Sequence, residues 1–203
     1  MASFNNNNFV LVSTTSPILE GNLLQQPITT DRLIFRQFLD SDLEAIHSSI
    51  TTPGEDDKSQ ALSLLNYLKK DSETLHLGIF LNGATEGEFI GRVALAHSEK
   101  YLSSGWPEIE CVINTRYRGC GYATESATAL LQFFWDLPRK QTRILVAPSS
   151  LDNPEDTKAT EQIYAMSRKD NLASIRVLQK LGFESFEGLD NDKINWRMRN
   201  PFM

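Results

Sequence analysis

Cysteine and histidine are scarce in this sequence, with two of the first and three of the second. Cys111 and Cys120 cannot build a disulfide framework, and no CxxC pair or Cys/His cluster offers a zinc site. The pattern suits a reduced, intracellular setting, cytoplasmic with the nucleus also compatible, and no bound metal is expected. No apolar run is long enough to span a bilayer, so no membrane partner is expected. Residues 1–8 lack the basic start and apolar centre of a signal peptide. Basic residues are in deficit, with 20 Lys and Arg against 26 Asp and Glu, a net charge of −6. A general nucleic-acid surface needs a basic face against phosphate, and this balance excludes one. There is no internal repeat.

What is present fits one soluble domain. The chain has 203 residues, 40% of them hydrophobic and 23% charged, enough for a substantial core. The polar tract Asn5 to Asn8 marks residues 1–24 as a loosely ordered start, and residues 25–203 are expected to form the domain. Asp31 to Phe38 alternates apolar and polar residues as a half-buried strand does. Ser41 and Glu44 have capping-box spacing, ahead of a helical face of Leu43, Ile46, His47 and Ile50. A polar segment with Pro53 and Gly54 leads to a second helix, striped by Ala61, Leu64, Leu65 and Leu68. Leu75–Leu81 and Phe89–Ala96 read as a hairpin around Asn82-Gly83. Ile109–Ile113 is a strand, followed by a helix carrying Ala123, Ala127, Leu130, Leu131 and Phe134 on one face.

Pro138 ends that helix, and Thr142–Val146 is a short strand. Pro148 to Thr160 is polar, acidic and proline-bearing, and reads as an exposed insertion. Gln162–Met166 resumes strand character. Asn171 heads a last helix with Ile175, Leu178 and Leu181 inward and Gly182 at its end. Phe183–Phe186 and Ile194–Met198 close the sheet. Hairpins and helical crossovers together predict a mixed α/β sheet, not a doubly wound parallel one.

The stretch Glu108 to Leu131, EIECVINTRYRGCGYATESATALL, reads strand, glycine loop, helix. Amides of such a loop and of the first helical turn have no intrahelical acceptor, and the helix dipole adds positive charge there. Gly119 and Gly121 permit a sharp turn and a close ligand, and Arg116 and Arg118 add cations. A pyrophosphate is the natural occupant. The loop lacks the GK[ST] of a nucleotide-hydrolysing P-loop, and Thr124 stands where a dinucleotide fingerprint has its third glycine. A plain strand-to-helix turn is the other reading of an isolated GxG.

Arg116-x-x-Gly119-x-Gly121-x-Ala123 resembles the coenzyme A pyrophosphate loop of the GNAT acetyltransferase superfamily. The longer string resembles its RimJ/RimL branch, which acetylates protein N-termini and some small amines. Asn171-x-x-Ser174 followed by Val177-Leu178-Gln179-Lys180-Leu181-Gly182-Phe183 is similar to that branch's N-x-x-S…VLxKLGF signature. Thr30-Asp31-Arg32-Leu33, with Arg36 beyond, is similar to its start. The likeness spans roughly Thr30 to Arg199. It implies the GNAT fold, a mixed sheet splayed at two parallel strands, with acetyl-CoA as co-substrate and an amine as acceptor. Cys111, Val112 and Ile113 would pair with the pantetheine arm. Arg116, Tyr117, Arg118, Gly119, Cys120, Gly121, Tyr122, Ala123 and Thr124 would hold the pyrophosphate, and Asn171 would bond the pantetheine or nearby backbone.

Direct transfer needs a neutral amine, so a base or a water-linked carboxylate must take a proton. Glu108 and Glu110, two apart on one strand and therefore on one face, are the candidates, against a reading as solvated edge charges. The helix after Asn171 has no tyrosine to protonate the leaving thiolate; Ser174 takes that place in the branch, or serves as a helix-start serine. His97 is a further candidate for the acceptor side, while His47 and His76 read as structural. Trp106 reads as packing or as lining the acceptor mouth, and Cys120 as a variable position without a base. A non-catalytic acyl-CoA-binding module and a dinucleotide-dependent enzyme are the competing functions. The acidic balance favours a cationic acceptor.

Overall fold

The computed structural model describes residues 9–18, 24, 26–50, 57–71, 74–83, 87–96, 104–186 and 190–202. In chain order the strands are β1 (Val10–Pro17), β2 (Ile28–Thr29), β3 (Leu33–Arg36), β4 (Thr74–Leu81), β5 (Phe89–Ala96), β6 (Glu108–Ile113), β7 (Arg139–Val146), β8 (Gln162–Arg168), β9 (Glu184–Phe186) and β10 (Lys193–Arg199). The α-helices are α1 (Leu43–Ile50), α2 (Ser59–Lys70), α3 (Tyr122–Asp136) and α4 (Leu172–Leu181). An eight-stranded sheet has the order β2-β3-β4-β5-β6-β8-β10-β9, and β1 and β7 form a second, two-stranded sheet. β6 and β8 run parallel, paired at Glu108↔Tyr164, whereas β2–β3, β3–β4, β8–β10 and β10–β9 are antiparallel. The mixed α/β sheet is the one expected. Where the sequence reads as one domain over 25–203, contacts gather into two compact units, and β6 and α3 are each divided between them.

The unit of Glu20–Leu95 and Glu110–Leu131 buries Leu33 and Phe35 on alternate positions of β3. The α2 stripe is as expected, with Ala61, Leu65 and Leu68 buried and Leu64 partly so, packed with Phe38, Ile46, Phe80 and Phe89. Phe89 lies between two rings, 6.0 Å from Phe38 and 5.6 Å from Phe80. Ile50, expected on the buried face of α1, is exposed at its end. The expected Ser41–Glu44 capping box is replaced. The Asp42 carboxylate accepts the Leu39 N–H at 2.8 Å and both Arg36 terminal nitrogens at 2.7 and 2.8 Å, and Glu44 pairs with Lys58. A carboxylate acceptor with a bidentate arginine outcompetes a serine hydroxyl for this entry. The Asn82-Gly83 turn also differs. Asn82 N–H donates to Arg32 O at 2.8 Å and its amide to Thr30 O at 3.0 Å, so the β4–β5 connection runs on to Glu88, which accepts from Leu81 N–H.

The unit of Met1–Leu19, Ala96–Ile109 and Gln132–Met203 contains the largest departure from expectation. Residues 10–17, expected to be loosely ordered, form β1, antiparallel to β7 from Val10↔Val146 to Pro17↔Arg139. The run VLVSTTSP is polar in composition but rich in β-branched residues, which suit a pleated strand. Val12 joins Trp106, Val146, Leu151 and Tyr164 in one buried cluster. The segment 148–160 is not a wholly exposed insertion. Ser150 and Leu151 are buried, Ala159 packs on that cluster, and Ser13 N–H donates to Thr157 O at 2.8 Å. Residues 152–155, 157, 158 and 160 are exposed. Asn171 and Gly182 bound α4 as expected. The Asn171 side chain accepts the Ser174 N–H, and Gly182 turns the chain at φ 86°.

Glu161 is 1% exposed and anchors this unit. Its Oε2 accepts from Thr15 Oγ1 at 2.9 Å, Arg139 Nε at 3.2 Å and Asn200 Nδ2 at 3.3 Å. Arg139 donates onward to Phe134 O, in the last turn of α3, and to Leu137 O, just past its end. Glu161→Gln would leave the Arg139 charge without its counter-ion. It is expected to destabilise by about 3 kcal/mol, read as a lower midpoint in urea unfolding with an unchanged slope.

Candidate active site

The glycine loop lies in the unit of Glu20–Leu95 and Glu110–Leu131. β6 ends at Ile113, a short 3-10 turn covers Thr115–Tyr117, and α3 starts at Tyr122. Gly119 and Gly121 have φ of 81° and 82°, the left-handed region that side chains with a Cβ avoid. A Cβ on Gly119 would meet nothing within 4 Å, and one on Gly121 only Arg32 Nη2 at 3.6 Å. The glycines therefore supply backbone hand rather than clearance within the protein. Among the described residues, the amides of 119 to 124 have no protein acceptor, while the flanking Tyr117, Arg118 and Glu125 amides bond Asn114, Thr115 and Gly121 carbonyls. Loop and first helical turn thus present a continuous run of donors at the positive end of a helix.

The cations are arranged differently from a simple pair beside the loop. Arg116 is bound to Glu88 and lies 4.9 Å over the Tyr117 ring. Arg118 Nε donates to Ile113 O at 3.0 Å, fastening the loop to its strand. Burial, with a Glu88 hydrogen bond behind it, pushes the Tyr117 phenol up to about 12. Arg32 is the residue that sequence reasoning missed. Its Nη1 donates to Cys120 O at 3.1 Å, its Nε donates to Glu125 Oε2 at 2.8 Å, and it stacks 4.7 Å over Tyr122. Thr30 Oγ1 donates to the other Glu125 oxygen at 2.6 Å. Burial acts to raise the Glu125 carboxyl, and the Thr30 and Arg32 bonds outweigh it and hold it low. The only signal was the position of Thr30 and Arg32 in the family-like start.

On β6, Glu108 is partly buried and Glu110 exposed, with Ile109 and Ile113 facing the core between and beyond them. Glu110 is held by Arg92 of β5 through two bonds of 2.9 and 3.0 Å. Val112 is exposed, and a Cβ on Gly91 would lie 2.2 Å from its carbonyl oxygen. Ala123 and Thr124 are partly buried in the first turn of α3. In the other unit, Asn171 accepts the Ser174 N–H at 3.1 Å, so the cap is the asparagine's and not the serine's. Ser174 is half-buried. Trp106 is 1% exposed and donates to Ser150 Oγ at 2.9 Å, which makes it a packing residue. His76 is buried with Asp71 at 3.1 Å. His97 lies outside the described residues. Among the described residues no group of three or more His, Cys, Asp or Glu could hold a metal, and no helix is long and apolar enough to cross a membrane.

The two cysteines are chemically distinct. Burial first, and Glu110 next, push the Cys111 thiol up to about 12, while Cys120 is exposed. At neutral pH iodoacetamide is expected to modify Cys120 and spare Cys111 until the chain is unfolded, as peptide mass mapping would show.

The family model described as an acetyltransferase (GNAT) domain matches residues 32–184. Among curated proteins none matches. A GNAT-family acetyltransferase from Bacillus anthracis is 19% identical, with 86% of this chain and 99% of that one covered and a TM-score of 0.59. A Vibrio cholerae protein named as a ribosomal-protein-serine acetyltransferase is 18% identical over 86% and 98%, TM-score 0.59. A chimeric spermidine N-acetyltransferase, partly from Vibrio cholerae, is 15% identical over 83% and 96%, TM-score 0.53. At these identities the structures speak for the fold, and the matched family model speaks for the family: this chain belongs to the GNAT acetyltransferases.

Proposed function

We propose that this protein transfers an acetyl group from acetyl-CoA directly to a primary amine, on a protein N-terminus or a small molecule, in the manner of the RimJ/RimL branch. Family membership supports acetyl transfer from acetyl-CoA. The observation that carries the reading is the run of unpaired amides at 119–124, held open by two left-handed glycines. It fits a pyrophosphate, whose oxygens would complete those amides. Arg116, Tyr117, Arg118, Gly119, Cys120, Gly121, Tyr122, Ala123 and Thr124 would hold that part of the co-substrate. The backbone of Cys111, Val112 and Ile113 would bond its pantetheine, with Asn171 as a further contact. Acetyl-CoA supplies an acetyl thioester, an electrophilic carbonyl with a thiolate leaving group.

The chain's own task is proton management. The amine must be neutral to attack, so Glu108 or Glu110 takes its proton, directly or through water. Ser174 would donate to the departing sulfur. The chain as a whole is acidic, at a net −6, which favours a cationic acceptor such as a basic N-terminus or a polyamine. Relatives of fold named for a ribosomal-protein serine and for spermidine fall in the same two classes.

Acetyl-CoA is expected to raise the melting temperature, by the equivalent of about 2.7 kcal/mol at a hundred times its Kd. Gly121→Val should abolish the shift, because valine resists the left-handed φ of 82°. A Gly121→Val protein that keeps its full shift would remove the loop from the binding site. Thiol release from acetyl-CoA with an amine panel tests transfer itself, and Glu108→Gln should lower its kcat by about a hundred-fold or more.

A further inference from the structure

Glu125 is an odd neighbour for an anion site. It stands in the first turn of α3, next to the amides of 119 to 124 that would receive a pyrophosphate, where a carboxylate repels the ligand. Arg32 ties this carboxylate to the loop. It donates from Nε to Glu125 Oε2 at 2.8 Å, with Nη2 on the same oxygen, and from Nη1 to Cys120 O at 3.1 Å. Its guanidinium lies 4.7 Å over the Tyr122 ring. Thr30 Oγ1 donates to the second Glu125 oxygen at 2.6 Å. Thr30 and Arg32 belong to the turn between β2 and β3, and that turn is itself tied down. Leu33 N–H donates to Thr30 Oγ1 at 3.0 Å, and Asn82 donates to the Arg32 and Thr30 carbonyls at 2.8 and 3.0 Å. All these residues lie in one compact unit.

The Cys120 carbonyl sets where α3 begins. In an α-helix each carbonyl accepts from the amide four residues on. Glu125 N–H donates to Gly121 O at 3.1 Å and opens the ladder of α3. One step earlier, the partner of Cys120 O would be Thr124 N–H, and α3 would lengthen into the loop by consuming a donor meant for the ligand. Arg32 engages that carbonyl instead. We propose that Arg32 is a positioning residue for the co-substrate, which bridges Cys120 O and Glu125 and so holds the loop in the form that leaves its amides to the pyrophosphate. The inference rests on the acetyltransferase reading above. Glycines at 119 and 121 give an unrestrained loop many other conformations, and fixing it beforehand reduces what the ligand must order. Glu125 is the post to which Arg32 is fastened, and its place beside an anion site follows from that task.

The test is calorimetric titration of the full chain with acetyl-CoA. Arg32→Gln is expected to raise Kd about ten-fold, the scale of ordering one backbone residue. Glu125→Gln gives the decisive sign. If the carboxylate acted on the ligand by charge alone, its removal would tighten binding. As the anchor of Arg32, its removal should weaken binding several-fold. The double variant should be no worse than Arg32→Gln, and Arg32→Lys should recover part of the affinity, a point charge lacking the fork. The Arg32 side chain is 49% exposed, and such a pair adds little to stability, so the unliganded variants should melt within about 4 °C of the parent. A parental Kd in Arg32→Gln, or a parental or tighter Kd in Glu125→Gln, overturns the assignment. So does an unliganded Arg32→Gln protein that melts far below the parent, because Arg32 would then be a scaffold residue. A parent that binds no acetyl-CoA fails the acetyltransferase reading and this one with it, whereas a parent that binds, with variants that bind equally well, fails this one alone.

Discussion

A stretch of backbone donors without acceptors is a liability for any fold, since such groups are normally paired. Here the amides of 119 to 124 must be kept from curling onto nearby carbonyls, and several interactions do so together. Arg32 occupies the Cys120 carbonyl, and Arg118 occupies that of Ile113. Glu125, one turn into α3, is pinned by Thr30 and Arg32 and lies where a negative charge steadies the helix start. The loop's openness is thus imposed from β3 and its approach, not from the glycines alone. Glycine makes the left-handed turns possible, and arginine makes them persist.

The two units are held by polar interactions of different character. Glu161 and Arg139 are buried, and their pairing matters because either alone would be an uncompensated charge. The pairs at Arg32, Arg116 and Lys58 are exposed, where such contacts contribute about 0–1 kcal/mol to stability. Their value lies in geometry: they fix where a carbonyl or a ring sits. The Asp152 and Glu184 carboxylates, gathered about Arg197 and Arg199, do the same for the exposed part of 148–160.

Much of this was legible in the sequence, for reasons that separate local from distant causes. The α2 stripe, the Asn171 cap and the Gly182 stop depend on residues a few positions apart, and each appears where periodicity and capping place it. The glycine loop was legible for the same reason. β1 was not, because its burial depends on partners far along the chain: Thr15 meets Glu161 across 146 positions, and composition alone reads such a strand as a polar tail. The start of α1 was misplaced because Arg36 recruits Asp42, a tertiary preference that a capping pattern does not contain. Segment 148–160 read as solvent-exposed since its one large apolar residue, Leu151, is outnumbered by polar neighbours. At the candidate site the donors were readable and their restraints were not. Nothing near Arg92 in sequence points to Glu110.

β1 lies outside residues 32–184, the span in which the family's pattern is found. Yet Val12 is wholly enclosed, and Thr15 supplies one of the three hydrogen bonds that Glu161 Oε2 receives. β7 faces β1 along its full length. The recognisable unit and the cooperative unit are therefore different lengths of chain. Cut to its family boundaries, the polypeptide would strand β7 with an unpaired edge and open the cluster around Trp106 to water. Divergence in this protein is not decoration on a finished domain; part of the domain's interior is made from residues that carry no family signature.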